Sequence, residues 1–220
     1  MTKTMKLHIK GGRLIDPANG IDKRSDLFIA DGLIVGAGDT PPKGFEASST
    51  LDATGCIVCP GLVDLCARLR EPGFEYKATL QFEMAAAVAG GVICLSCPPD
   101  TDPPLDEPGL VQMLTHRARL PGFATVHPVG ALTVQLAGER LVEMAELFDA
   151  GCIAFEQASR SIVDTQVLLR AMQYAATFGF PIWLQAQDSF LSRKGVAHDG
   201  EGAARRGLVG IPVAAETTAL

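Results

Sequence analysis

The stretch TLQFEMAAAVAGGVICLSC, Thr79 to Cys97, sets two kinds of local order side by side. Thr79 to Ala89 reads as a helix, which Gly90 ends where a left-handed C-cap would need glycine. Val92 to Cys97 is then a near-continuous apolar run, the pattern of a strand buried on both faces. The alternation recurs on either side. Before it, Leu62 to Cys66 is a strand; after it come a helix at Pro108 to Leu120, a strand at Ala124 to Leu132 and a helix at Gly138 to Ala150. A strand at Cys152 to Phe155, a helix at Val163 to Phe178 and a strand at Pro181 to Ala186 complete the series. Each repeat runs to about 30 residues, the length of a strand, a crossover helix and two loops. Gly151 and Gly179 follow their helices as Gly90 does, and Pro181 opens its strand without losing a ladder bond. The pattern predicts an α/β fold on a parallel sheet of about five strands.

Residues 1–60 read differently, as a small β unit. Lys6 to Lys10, Asp26 to Ala30 and Leu33 to Ala37 are short strands, with Asp31-Gly32 as the tight turn between the last two. A loop rich in glycine and proline, Gly36 to Gly44, precedes a further strand at Thr50 to Cys59. Residues 61–220 hold the parallel β/α repeats. A (β/α)8 barrel takes about 250 residues, so the expected architecture is a partial barrel. Glu216 to Leu220 reads as the opening of a further helix, as in a truncated product or a piece of a longer protein. An open parallel sheet is the structural alternative.

With 47% hydrophobic residues and a formal net charge of −6, the 220-residue chain has apolar material for a sizeable core. It lacks the basic block that nucleic acid or an anionic membrane surface requires, and Arg205-Arg206 is too short to supply one. No apolar segment follows the polar start at Met1 to His8, and Gly90-Gly91 interrupts the longest apolar run, Met84 to Cys97, so a cytoplasmic protein is expected. Its six cysteines should then be reduced and mostly buried. Cys56-x-x-Cys59 and Cys94-x-x-Cys97 have zinc-site spacing, but strand residues three apart point to opposite faces, and packing is the expected role. His8, His116, His127 and His198 share no ligand spacing, and Gly195 to Gly202 reads as a flexible connection.

In parallel α/β folds, functional groups gather at the C-terminal ends of the strands. Those ends carry Cys66-Ala67-Arg68, Pro98-Pro99-Asp100-Thr101, Thr133, Glu156-Gln157-Ala158-Ser159 and Gln185-Ala186-Gln187-Asp188. No histidine stands among them.

Gly61-Leu62-Val63-Asp64-Leu65, followed by Leu69-Arg70-Glu71-Pro72-Gly73-Phe74-Glu75-Tyr76-Lys77, resembles the first barrel strand and loop of dihydroorotases, in the amidohydrolase superfamily. Ala86 to Gly91, Thr101 to Pro104, Gly151 to Phe155 and Gly210 to Glu216 continue the likeness in the same order. The resemblance implies a TIM-type metallo-dependent hydrolase barrel flanked by a small β-sandwich built from the N-terminal unit. It also implies metal ligands at positions where this sequence has other residues. A His-x-His pair would stand at Cys66 and Arg68, and an arginine has no lone pair to offer a cation. A bridging carboxylate would fall within Gln157, Ala158 and Ser159, and a further histidine at Gln185. The substrate-contacting asparagine is replaced by Asp100, while Asp188 is kept. Arg70 matches the arginine that holds the substrate carboxylate, and a salt bridge to Glu71 or Glu75 is its structural alternative.

Metal-assisted hydrolysis needs a bound hydroxide and a carboxylate to move its proton. With those positions replaced, the resemblance implies a non-catalytic homologue that holds no metal. It is similar to the inactive dihydroorotase-like chains that assemble with aspartate carbamoyltransferase in pyrimidine biosynthesis, which makes that enzyme the expected partner, alongside a homo-oligomer. Two alternatives stand beside it: an active cyclic-amide hydrolase, zinc-dependent and built on Cys66, Asp100 and Asp188, or a fragment without a function of its own.

Overall fold

The computed structural model describes residues 5–119 and 122–219, so the expected polar start at Met1 to Thr4, the helix end at Leu120 and the terminal Leu220 lie outside the described residues. The chain divides into two compact units, Met1–Gly61 and Leu62–Leu220.

The first unit holds two small sheets. Strands β1 (Lys6–Lys10), β4 (Leu27–Ala30), β5 (Leu33–Ala37) and β6 (Ser49–Asp52) form one in the order β5-β4-β1-β6; β2 (Arg13–Asp16), β3 (Ile21–Arg24) and β7 (Ile57–Val58) form the other in the order β3-β2-β7. Asp31 and Gly32 make the expected turn, with φ of 52° and 78°, the positive pair that a tight two-residue hairpin requires. The single strand expected at Thr50 to Cys59 is instead β6 and β7, split between the two sheets by a turn in which Gly55 takes a φ of 80°. The β2–β3 hairpin was not expected at all. Its strands are short and charged, yet Arg13 and Asp22 pair across them at 2.7 Å, and Asp16 caps a one-turn 3-10 helix at Pro17–Asn19 that reverses the chain. Among the described residues of this unit, the buried apolar ones are Leu14, Leu27, Phe28 and Ala53.

The second unit is the β/α repeat. In order come β8 (Leu62–Asp64), α1 (Leu80–Ala89), β9 (Val92–Cys97), α2 (Pro108–Arg119), β10 (Thr125–Ala131), α3 (Met144–Asp149), β11 (Ala154–Glu156), α4 (Thr165–Phe178) and β12 (Ile182–Trp183). All neighbours are parallel, and the spatial order β12-β11-β10-β9-β8 simply follows the chain. A doubly wound open sheet reverses its strand order at a switch point, whereas a barrel does not. The unreversed order therefore marks a partial TIM-type barrel and sets aside the open-sheet alternative.

Several local expectations need correction. The helix expected from Gly138 shrinks to α3, because Val134 to Val142 is drawn into a 3-10 turn and an isolated bridge between Thr133 and Leu141. Pro181 to Ala186 forms only the two-residue strand β12. The connection at Gly195 to Gly202 is ordered: β13 (Ala197–His198) pairs in parallel with β14 (Gly210–Ile211) across α5 (Glu201–Arg205), and α6 (Ala214–Thr217) follows. Gly179 closes α4 in the left-handed conformation as expected, while α1 delays that conformation from Gly90 to Gly91. All six cysteines are free thiols, but Cys56, Cys59 and Cys66 are exposed rather than packed, since they lie in turns and at strand ends. Among the described residues no helix is long and apolar enough to cross a membrane.

The main core lies between the sheet and its helices, where Leu95, Cys97, Val111, Leu114, Met144, Leu147 and Phe155 are buried. It fixes the strand ends from which the site is built.

Candidate functional site

Loops leaving β8, β9, β11 and β12 meet at the C-terminal mouth of the partial barrel. Cys66, Arg68, Glu156, Ala158, Trp183, Leu184 and Gln185 line a cavity there of about 210 Å³. Four positions singled out in the sequence, Cys66, Arg68, Ala158 and Gln185, are thus brought together. A fifth, Gln157, is not: its side chain is buried and turned onto Thr133, with Nε2 at 2.7 Å and Oε1 at 3.0 Å from the hydroxyl oxygen. That same hydroxyl accepts the backbone N–H of Gly138 at 2.9 Å. The group is a structural knot behind the mouth. Ser159 follows Ala158, whose φ of 52° turns the chain away from β11.

The dominant contact in the mouth is an ion pair. Arg68 Nε donates to Asp100 Oδ2 at 2.6 Å, joining the loop after β8 to the loop after β9. This hydrogen bond to Asp100 raises the Arg68 pKa above its ordinary value, so the guanidinium is a permanent cation. Arg68 Nη1 also lies 4.0 Å from Cys66 Sγ. Burial nevertheless pushes the Cys66 thiol up, with Arg68 opposing the shift. Glu156, the last residue of β11, has its carboxyl raised first by burial and then by the negative charge of Asp100, against the pull of Arg68. One arginine thus offsets two acidic groups.

Arg70 stands beside this pair with a φ of 65°. Neither suggested partner holds it. Glu71 is buried, pairs with Arg117 and accepts the N–H of Leu80 at 2.9 Å; Glu75 accepts the N–H of Gly73 at 3.0 Å. Among the described residues the Arg70 guanidinium forms no ion pair, and it lines a cleft with Arg68, Phe74, Asp100 and Thr101. Asp188, by contrast, is spent on a turn, accepting the N–H groups of Phe190 and Leu191, both at 2.8 Å. It is not among the residues that line the cavity with Cys66.

The donor set does not fit a zinc ion. Zinc wants thiolate, neutral imidazole or carboxylate in a tetrahedral shell. Here Cys66 and Glu156 are the donors of that kind lining the cavity, short of a tetrahedral set, while the guanidinium has no lone pair, Ala158 has no donor, and Asp100 is already engaged by a cation. Among the described residues no three His, Cys, Asp or Glu side chains are grouped to hold a metal ion. The mouth thus holds a guanidinium already engaged by a carboxylate, with Glu156 and Trp183 on its wall, and the unpaired Arg70 lies in an adjoining cleft rather than in the cavity itself.

The sequence of the site and its surroundings has close counterparts. A sequence model described as dihydro-orotase-like matches residues 55–220. The chain belongs to the dihydroorotase-like family. A dihydroorotase-like protein of Pseudomonas aeruginosa is 45% identical over 216 residues, covering 98% of this chain and 51% of that protein. A dihydroorotase of Pelobacter propionicus is 42% identical over 218 residues, again 98% of this chain and 51% of the relative. The chain therefore spans about half the length of the curated relatives it matches. Among solved structures, the L-hydantoinase of Arthrobacter aurescens superposes with a TM-score of 0.70 at 21% identity, over 84% of this chain and 41% of that one. A dihydroorotase crystal structure superposes at 0.56 with 10% identity, over 81% and 50%. These likenesses show that the dihydroorotase-like chain shares the fold of those hydrolases over the stretch it spans.

Sequence reasoning did not single out Glu156 and Trp183. Glu156 closes β11 just before Gln157, Ala158 and Ser159, where the family pattern has its carboxylate, so that pattern does not mark it. Trp183 is the last residue of β12 and the only tryptophan of the chain. A strand-end position was the available signal for both.

Proposed function

We propose that this dihydroorotase-like chain is catalytically silent and acts as a structural subunit that supports aspartate carbamoyltransferase in pyrimidine biosynthesis. The observation that carries the first half is the Arg68–Asp100 ion pair, which fills the mouth with a protein cation where metal-assisted hydrolysis needs open ligands. The partner rests on the likeness of the altered strand ends to the inactive, transferase-associated members of the family. In this reading Arg70 and Asp100 are remnants of a substrate pocket. Arg70, with its free guanidinium, keeps the ability to hold a carboxylate.

Two measurements test it. After incubation with excess zinc and desalting, elemental analysis should find no stoichiometric metal, and dihydroorotate should not be hydrolysed above background. Stoichiometric zinc together with turnover would defeat the catalytic half. For the partner, co-expression with the transferase of the same organism should give one co-eluting complex. Separate elution at physiological concentrations removes the structural role and leaves the silent site standing.

A further inference from the structure

Glu156 and Trp183 are register partners on the adjacent parallel strands β11 and β12. Neighbouring strands lie about 4.8 Å apart, and residues paired in register point to the same side of a sheet. Both side chains line the mouth cavity of about 210 Å³, so a carboxylate and an indole ring stand side by side on one wall. That adjacency comes from the pairing of β11 with β12 alone. Carboxylate and indole are the groups that hold an organic cation away from water, one by a charge-assisted hydrogen bond and the other through the negative face of its ring.

The charges around the cavity leave this position without a counter-ion. Arg68 lines the same cavity, but its Nε is committed to Asp100 at 2.6 Å. Among the described residues the Glu156 carboxyl has no ion pair. A half-buried carboxylate in a cleft with no opposite charge beside it is costly to keep, and such groups mark ligand sites. With Arg68 set against both Asp100 and Glu156, the ionised mouth has an excess of negative charge. Gln185, on the same rim, donates Nε2 to Gln187 Oε1 at 3.3 Å and keeps its own amide oxygen as an acceptor.

We infer that the mouth binds a small organic cation, an ammonium or guanidinium group, between the Glu156 carboxylate and the Trp183 ring. This is the opposite polarity to the carboxylate ligand implied for Arg70, which lines the adjoining cleft. The inference rests on the reading of the mouth as metal-free and silent, yet the two fail separately. Zinc content and dihydroorotate turnover decide that reading; cation binding by the zinc-free chain decides this one.

Trp183 is the chain's only tryptophan, so its emission reports on the site directly. The zinc-free chain is titrated with n-butylammonium and with methylguanidinium, at an ionic strength held constant with potassium chloride, and with n-butanol as the uncharged control. A saturable change in emission is expected with at least one of the cations and none with n-butanol. Glu156→Gln, which keeps the shape of the side chain, should weaken binding at least about tenfold while its thermal melt shows a folded protein. Trp183→Leu, followed by calorimetry, should weaken it by about the same factor. A free amine and a partner's lysine offer the same ammonium. Nα-acetyl-lysine amide tells them apart, matching n-butylammonium if the mouth admits a side chain and binding far more weakly if it is shaped for a free amine. The inference is overturned if n-butanol binds as tightly as the cations, or if neither cation gives a saturable change up to roughly 100 mM. It is equally overturned if Glu156→Gln or Trp183→Leu binds as the parent does.

Discussion

At the residue scale, Arg68 is the cation on which the mouth depends. Arg68→Met would leave Asp100 and Glu156 facing each other without compensation. Both members of the ion pair are partly solvated, so the expected loss is modest, about 1 kcal/mol in urea denaturation at neutral pH. Glu156 gives a second prediction with a definite sign. Its folded pKa lies above the ordinary glutamate value, so the folded state binds a proton more readily than the unfolded one, and stability falls as pH rises from the ordinary value through the raised one. Glu156→Gln removes that penalty. The variant should be more stable than the parent at neutral pH, and the gain should vanish below the ordinary glutamate range; an equal gain at acid pH would show that charge is not the cause. Arg68 and Asp100 were each legible as unusual strand-end residues. Their pairing was not, because they lie 32 residues apart and meet only when β8 and β9 are aligned.

At the element scale, the loops after β8 and β9 are fitted to each other, which is how Arg68 and Asp100 come to meet. Gly73 has a φ of 96°, and a Cβ there would lie 2.3 Å from the carbonyl oxygen of Asp102. Gly73→Ala should therefore cost about 2 kcal/mol or more through both strain and overlap, measured by urea unfolding. Glu71 ties the same loop to two helices, accepting from the first residue of α1 and pairing with Arg117 of α2. Glu71→Leu strands the Leu80 N–H and frees Arg117 to solvent, with an expected loss of about 2–3 kcal/mol. The β/α repeat around these loops was legible because apolar runs and helical periodicity alternate strongly from Leu62 to Phe178. The β2–β3 hairpin was hidden because its strands carry charges that pair with each other rather than alternating apolar residues. The expected helix from Gly138 begins only at Met144 because Gly138, Arg140 and Val142 spend their backbone bonds on Thr133, Val134 and Leu132.

At the scale of the whole molecule, the two units have very unequal cores. Among the described residues, the main buried cluster, from Leu69 to Ala175, belongs entirely to Leu62–Leu220. Met1–Gly61 relies on Leu14, Leu27, Phe28 and Ala53, with Phe28 flanked by the rings of His8 and Phe45. A unit with so few buried apolar contacts opens at a lower free energy than one with a continuous core. Native-state hydrogen exchange should accordingly show the β1 and β4 amides exchanging faster than those of β10 and α2. Phe28→Ala, which empties the centre of the small core at a cost of about 3–5 kcal/mol, should abolish protection in β1 and β4 while leaving β10 and α2 unchanged. Phe155→Ala should instead lower protection across β9, β10 and β11, because its ring packs against Gly130 of β10 and Phe180 after α4. If either substitution lowers protection equally in both units, they unfold as one cooperative body. The division at Gly61 would then be one of geometry and not of stability.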